Sequence, residues 1–176
     1  MTLKNNIKLS LIALGCLLLG ASCNYSFRDI SIPPQVKTIK VNYIENKASY
    51  VNPQLSPQLS EKIRQKINNQ TKLTQVQSDE PHYEVSGTIT AYDVSTAAVS
   101  NQQAASNKLT VTVHITFVNH LDPTGKNIAP ANFEEDVTKS VTFSGNLSLL
   151  QAESQVLPDI LTNLTDAIFN RIFSNW

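Results

Sequence analysis

The chain has 176 residues, with 14 basic and 14 acidic side chains, a net charge of zero and only 16% charged residues. So weak a charge excludes the basic excess with which nucleic-acid binders neutralise phosphates, and it gives any polyanion little to hold. One core is what this length and a 41% hydrophobic content provide for.

The N-terminal segment reads as an export signal. Lys4 and Lys8 form a positive start, Leu9–Leu19 a short apolar stretch, and Gly20, Ala21 and Ser22 a run of small residues before Cys23. That apolar stretch falls well short of the roughly 20 residues that span a bilayer, so cleavage is expected rather than a transmembrane anchor. The run before Cys23 resembles the bacterial lipobox, with Gly20 where leucine is usual. Cys23 is therefore the expected lipid attachment site. Cys16 is the competing cysteine, but Ala13 and Leu14 fit poorly before it. Residues 1–22 are then a lipoprotein signal peptide, 23–35 a lipidated tether and 36–176 a single domain. Without Lys4 and Lys8 the mature chain keeps 12 basic against 14 acidic residues. Pro33-Pro34 favours an extended backbone, and the 13 steps from Cys23 to Val36 reach at most about 45 Å. The domain is held close to its lipid.

Beyond the prolines, Ile39, Val41 and Tyr43 alternate with polar residues, as in a half-buried strand. Asn52-Pro53 reads as a helix cap followed by the first helical residue, and Leu55, Leu59, Ile63 and Ile67 recur every four positions. Pro57 is tolerable in the first turn. Lys62, Arg64, Gln65 and Lys66 fall on the opposite, solvated face, and Leu73 and Val76 lie in the link beyond. A second strand is expected over His82–Val94, with Tyr83, Val85, Ile89 and Ala91 inward, and Asn101–Asn107 as the turn after it. The third strand has the cleanest pattern: Leu109, Val111, Val113, Ile115 and Phe117 alternate with Thr110, Thr112, His114 and Thr116. Its β-branched residues suit a pleated surface. Asp122-Pro123-Thr124-Gly125 supplies a β-turn. A fourth strand, Phe133–Phe143, places Phe133, Val137, Val141 and Phe143 inward, while Glu135 and Lys139 on the same side mark an edge strand guarded by charge. Leu157, Leu161, Leu164, Ile168 and Ile172 form the stripe of a final helix, which starts either at Pro158 or, kinked there, near Leu149. The expected architecture is α+β: a four-stranded mixed sheet with two helices on one face, in the order β-α-β-β-β-α.

Catalytic signatures are missing from the pattern. His82, His114 and His120 lack metal-ligand spacing, five glycines include no phosphate-cradling loop, and no G-x-S-x-G elbow occurs. Neither a metal nor a cofactor is expected. Glu134, Glu135 and Asp136 are consecutive on a strand and so alternate between its faces. The sheet face away from the helices is instead rich in hydroxyls: Ser86, Thr88, Thr90, Thr110, Thr112, Thr116, Thr138, Ser140 and Thr142. Such a face is ordinary for an exposed sheet, and it also suits docking against a polar wall such as the lumen of an outer-membrane β-barrel.

Extended stretches of wording carry a family likeness. They are Cys23-Asn24-Tyr25-Ser26-Phe27, Ser31-Ile32-Pro33-Pro34-Gln35-Val36-Lys37-Thr38-Ile39, Val51-Asn52-Pro53-Gln54-Leu55-Ser56, Asn107-Lys108-Leu109-Thr110-Val111-Thr112-Val113, Asp166-Ala167-Ile168-Phe169-Asn170 and Ser174-Asn175-Trp176. With the lipobox and the order of elements, the chain resembles the LptE family of lipopolysaccharide-assembly lipoproteins in its Bacteroidetes form. Pro158, within an expected unbroken helix, and Gly20 are its departures. The resemblance implies a non-enzymatic lipoprotein of the Gram-negative outer membrane that plugs the LptD β-barrel, assists its assembly and helps deliver lipopolysaccharide to the outer leaflet. Lipopolysaccharide is a further implied contact, with no position assigned to it; Lys37, Lys40, Lys108 and Lys139 read first as solvated strand lysines. The alternative is a periplasm-facing lipoprotein that binds a small ligand or another envelope protein.

Overall fold

Alternation from Leu109 to Phe117 sets the layout of the domain. The computed structural model describes residues 32–100 and 103–174. The signal segment, Cys23 and the tether up to residue 31 lie outside the described residues. Among the described residues six strands, β1 (Thr38–Val41), β2 (Glu45–Asn46), β3 (Thr74–Gln75), β4 (Tyr83–Ser100), β5 (Gln103–Asn119) and β6 (Phe133–Ser144), form one mixed sheet, joined by helices α1 (Leu55–Gln70) and α2 (Leu149–Phe173). The path is β3-β1-β4-β5-β6, with β2 beside β4. β1 lies parallel to β3 and β4, and β4, β5 and β6 form an antiparallel meander. Among the described residues the α+β class with two helices thus holds, with two further strands of two residues each.

Leu109, Val111, Val113, Ile115 and Phe117 are all at most 1% exposed, so β5 turns every second side chain into the core. Leu55, Leu59, Ile63 and Ile67 of α1 and Leu157, Ile160, Leu161, Leu164, Ile168 and Ile172 of α2 close over them. Burial of one such side chain is worth about 1.5–3 kcal/mol, so this shared face is the main source of stability.

Several expectations change in detail. Tyr43 is 53% exposed and Ile44 is buried in its place. β1 stops at Val41, whose carbonyl accepts from Arg64, and the Ile44 N–H donates to Ser60 Oγ at 3.0 Å. The chain thereby slips out of strand alternation. Arg64 is therefore not simply solvated, and neither is Lys66, which pairs with Asp166 at 2.8 Å and lies 5.1 Å from the Phe169 ring. The cap of α1 is Gln54 rather than Asn52. Asn52 is buried and its side chain accepts from the Gln54 N–H, so Asn52-Pro53 makes the turn before the helix.

In β4 a bulge between Ile89 and Ala91 hands the core position to Tyr92, leaving Ala91 half-buried. Asn101–Asn107 is not all turn, because β5 begins at Gln103 and pairs it with Ser100. α2 is a single helix from Leu149 with Pro158 inside it, begun by a capping box between Ser148 and Gln151. β6 is the expected edge, and its inward Glu135 pairs with Arg171, whose guanidinium also lies 4.0 Å from the Phe133 ring.

Candidate functional site

The outward faces of β4, β5 and β6 make one continuous polar surface. Register brings Thr112 opposite Thr138 and Thr110 opposite Ser140, and in both pairs the hydroxyls share a hydrogen bond of 2.9 Å. Thr116 stands beside Ser86, and Thr88 beside His114. Thr142 faces Lys108 at the far end of the row. Thr90 sits in the bulge, where its hydroxyl donates to the Thr112 carbonyl at 3.4 Å. Each expected hydroxyl residue of β4, β5 and β6 is thus exposed or half-buried. Hydroxyls that satisfy one another in rungs can still accept or donate outward, so the face offers many hydrogen bonds at little desolvation cost.

The other end of this surface is acidic. His114 Nδ1 lies 2.8 Å from Asp136 and its Nε2 is 3.7 Å from Glu134. Glu134 and Asp136 share a face, as residues two apart on a strand must, while Glu135 turns to the helix side. His120 Nε2 lies 3.0 Å from Glu84, which also accepts from the Asn42 side chain at 2.8 Å. The Asn42 bond, then the His120 contact and the nearby Lys40, hold the Glu84 carboxyl below its usual range despite partial burial. In the sequence these histidines show only that they lack metal-ligand spacing. Only register shows that each meets a carboxylate. His82 is used structurally: its Nδ1 accepts from the Lys37 N–H at 2.9 Å.

Two polar arrangements off this face were not foreseen. Glu153, near the start of α2, is 6% exposed and accepts from Tyr92 Oη at 2.7 Å and Tyr50 Oη at 3.4 Å. Burial first, and then the Glu153 carboxylate, push the Tyr92 hydroxyl well above its ordinary range. In the loop after β5, Asp122 accepts from the backbone N–H groups of Asn127, Ile128 and Thr124 and from the Thr124 hydroxyl. Those bonds lower its carboxyl to about 2. The expected turn is present there, with Gly125 at φ 67° and its N–H donating to the Asp122 carbonyl.

Of the strand lysines, Lys40 pairs with Asp79 at 3.3 Å, and Lys37 and Lys108 are exposed. Cavities of about 540 Å³ beside Ile32, Lys37 and Leu73, and about 520 Å³ beside Thr142, Asp159 and Asn163, place no nucleophile next to a base. Among the described residues no three His, Cys, Asp or Glu side chains converge as metal ligands, and no helix is long and apolar enough to cross a membrane. What the geometry offers is a docking surface, half hydroxyl and half acidic.

Solved structures align with the chain at low identity. The hypothetical protein CT253 from Chlamydia trachomatis aligns over 80% of this chain and 99% of its own at 9% identity, with a TM-score of 0.50. A minor lipoprotein from Acinetobacter baumannii aligns over 80% and 92% at 12% identity and a TM-score of 0.48. Lipoprotein B from Nitrosomonas europaea aligns over 82% and 90% at 13% identity and a TM-score of 0.46. No curated protein matches the chain. The family model described as LptE, lipopolysaccharide-assembly, matches residues 36–172, which is every element from β1 to the last turn of α2. With the α+β sheet and the residue wording in agreement, the chain belongs to the LptE family of lipopolysaccharide assembly.

Proposed function

We propose that this protein is an outer-membrane lipoprotein, anchored through Cys23, that sits within the LptD β-barrel, assists its assembly and helps deliver lipopolysaccharide to the outer leaflet. Family membership supplies the process. The observation that carries the docking is the hydroxyl face of β4, β5 and β6, with its Thr112–Thr138 and Thr110–Ser140 rungs, because a barrel lumen is polar and is filled best by hydrogen-bonding groups. The protein works as a scaffold, and no residue is assigned a catalytic role. Residues 36–176 act as one domain on a tether short enough to keep it at the membrane.

Two measurements test this reading. Thr88→Arg combined with Thr112→Arg is expected to cut co-purification of one large outer-membrane barrel by at least about tenfold, since buried like or unpaired charges at an interface cost several kcal/mol. The isolated variant is expected to melt as the parent does. Cys23→Ala is expected to abolish fatty-acid labelling and membrane retention, because stable anchoring needs two or more acyl chains. A protein whose depletion leaves the barrel and surface lipopolysaccharide unchanged would instead be the small-ligand envelope lipoprotein.

A further inference from the structure

β4 is paired on both sides only over part of its length. β1 and β2 flank it through Val41 opposite Val85 and Asn46 opposite Ile89, and the Lys47 N–H donates to Ile89. Beyond Ile89 no described residue pairs with that edge, although β5 continues along the other side to Ser100. Between the bulge before Ala91 and the irregularity after Thr96 the ladder with β5 is regular for six residues, Ala91 to Thr96 opposite Thr112 to Asn107. In an antiparallel ladder every second residue turns its N–H and C=O away from its partner, so this stretch presents open backbone groups in strand geometry.

Long open edges are normally guarded by charge. β6, the other long edge, carries Glu134, Glu135, Asp136 and Lys139. The β4 stretch carries only Asp93. Beside it lies an apolar shelf. Tyr50 packs against Tyr92 in a tilted pair at 5.2 Å between ring centroids, Leu150 and Tyr50 line one cavity of about 250 Å³, and Val94 follows two residues after Tyr92. Of the seven large apolar side chains left exposed among the described residues, Tyr50, Val51, Val94, Val99 and Leu150 are all at this end, and Leu150 is 78% exposed. Such clustering marks a contact surface rather than scattered surface residues.

We propose that the β4 edge from Ala91 to Thr96 accepts one added strand from a partner protein: an extended, uncharged segment with an apolar side chain at every second position. The backbone groups give the added strand its affinity. Val94, Tyr50 and Leu150 receive its alternate side chains, and the near absence of charge on the edge selects a neutral partner. This contact uses the edge of the sheet, so it stands or falls separately from docking of the hydroxyl face.

Hydrogen exchange on the full chain tests it, measured on the purified chain alone and on the chain extracted in mild detergent from its own membrane with its bound proteins. Amides in Ala91–Thr96 that face away from β5 are expected to exchange at least about 100-fold more slowly in the extract. Val94→Lys, which adds the guard this edge lacks, is expected to remove that slowing without changing the melting of the isolated chain. Gln77→Lys, exposed in the loop after β3, is expected to leave it intact. Equal exchange in the two preparations overturns the proposal, as does slowing that survives Val94→Lys. Slowing in the chain alone, accompanied by a doubled mass, makes the occupant a second copy and also overturns it.

Discussion

Within the single β4–β5 ladder, Tyr83, Val85, Ile89 and Tyr92 of β4 are at most 5% exposed, whereas every residue from Asp93 to Val99 is exposed. Both halves carry the same backbone pairing to β5, but only the first lies under α1 and α2. Hydrogen bonds of a ladder are exchanged against water and contribute little net, so backbone pairing alone adds little to the distal half. The covered half therefore holds the fold. The distal half is carried by it and remains available for contact.

The largest expected effect lies in the covered half. Val113→Asp puts an unpaired carboxylate among side chains that exclude water, at a cost of several kcal/mol against a total stability of about 5–15 kcal/mol. It is expected to unfold the isolated domain, while Val94→Asp in the distal half and Thr112→Asp on the open face leave the melting temperature nearly unchanged. Equal melting of Val113→Asp and Val94→Asp would erase the distinction between the halves.

A smaller effect is expected at Gly87, also in the covered half. A Cβ there would lie 2.8 Å from Ile115 Cδ1 and 3.0 Å from the His114 carbonyl oxygen, and the latter is backbone that cannot swing aside. Gly87→Ala should cost about 1–3 kcal/mol by overpacking. Ala98, exposed in the distal half, should accept Ser with no measurable change in thermal unfolding.

The smallest effect concerns the loop at the covered end. Asp122 has its carboxyl lowered from 3.8 to about 2 by backbone N–H bonds that favour the charged form. Its stabilising contribution is therefore complete above about pH 4 and is lost as the pH falls through about 2. Asp122→Asn should melt below the parent at neutral pH, and the gap should narrow between pH 4 and pH 2. Asp93→Asn, in the exposed distal half, should leave the melting temperature at neutral pH nearly unchanged. Thermal melts across that range decide both points.

Local pattern fixed what depends on period alone. Five alternating apolar residues made the inward face of β5 legible, and spacing of four made the buried stripe of α1 legible, because burial of one face is written into sequence at the period of the element. The hydroxyl residues of the open face were legible for the same reason. Tertiary structure decided which residues meet. His114 with Asp136, His120 with Glu84 and Thr112 with Thr138 depend on register between strands far apart in sequence, which no local period encodes. The slip at Tyr43 follows from Arg64 and Ser60 of α1 reaching the backbone of Val41 and Ile44. The bulge that buries Tyr92 coincides with its bond to Glu153 on α2. The polar start of β5 is a strand only because β4 lies beside it, since backbone pairing asks nothing of the side chains that a core would have required to be apolar.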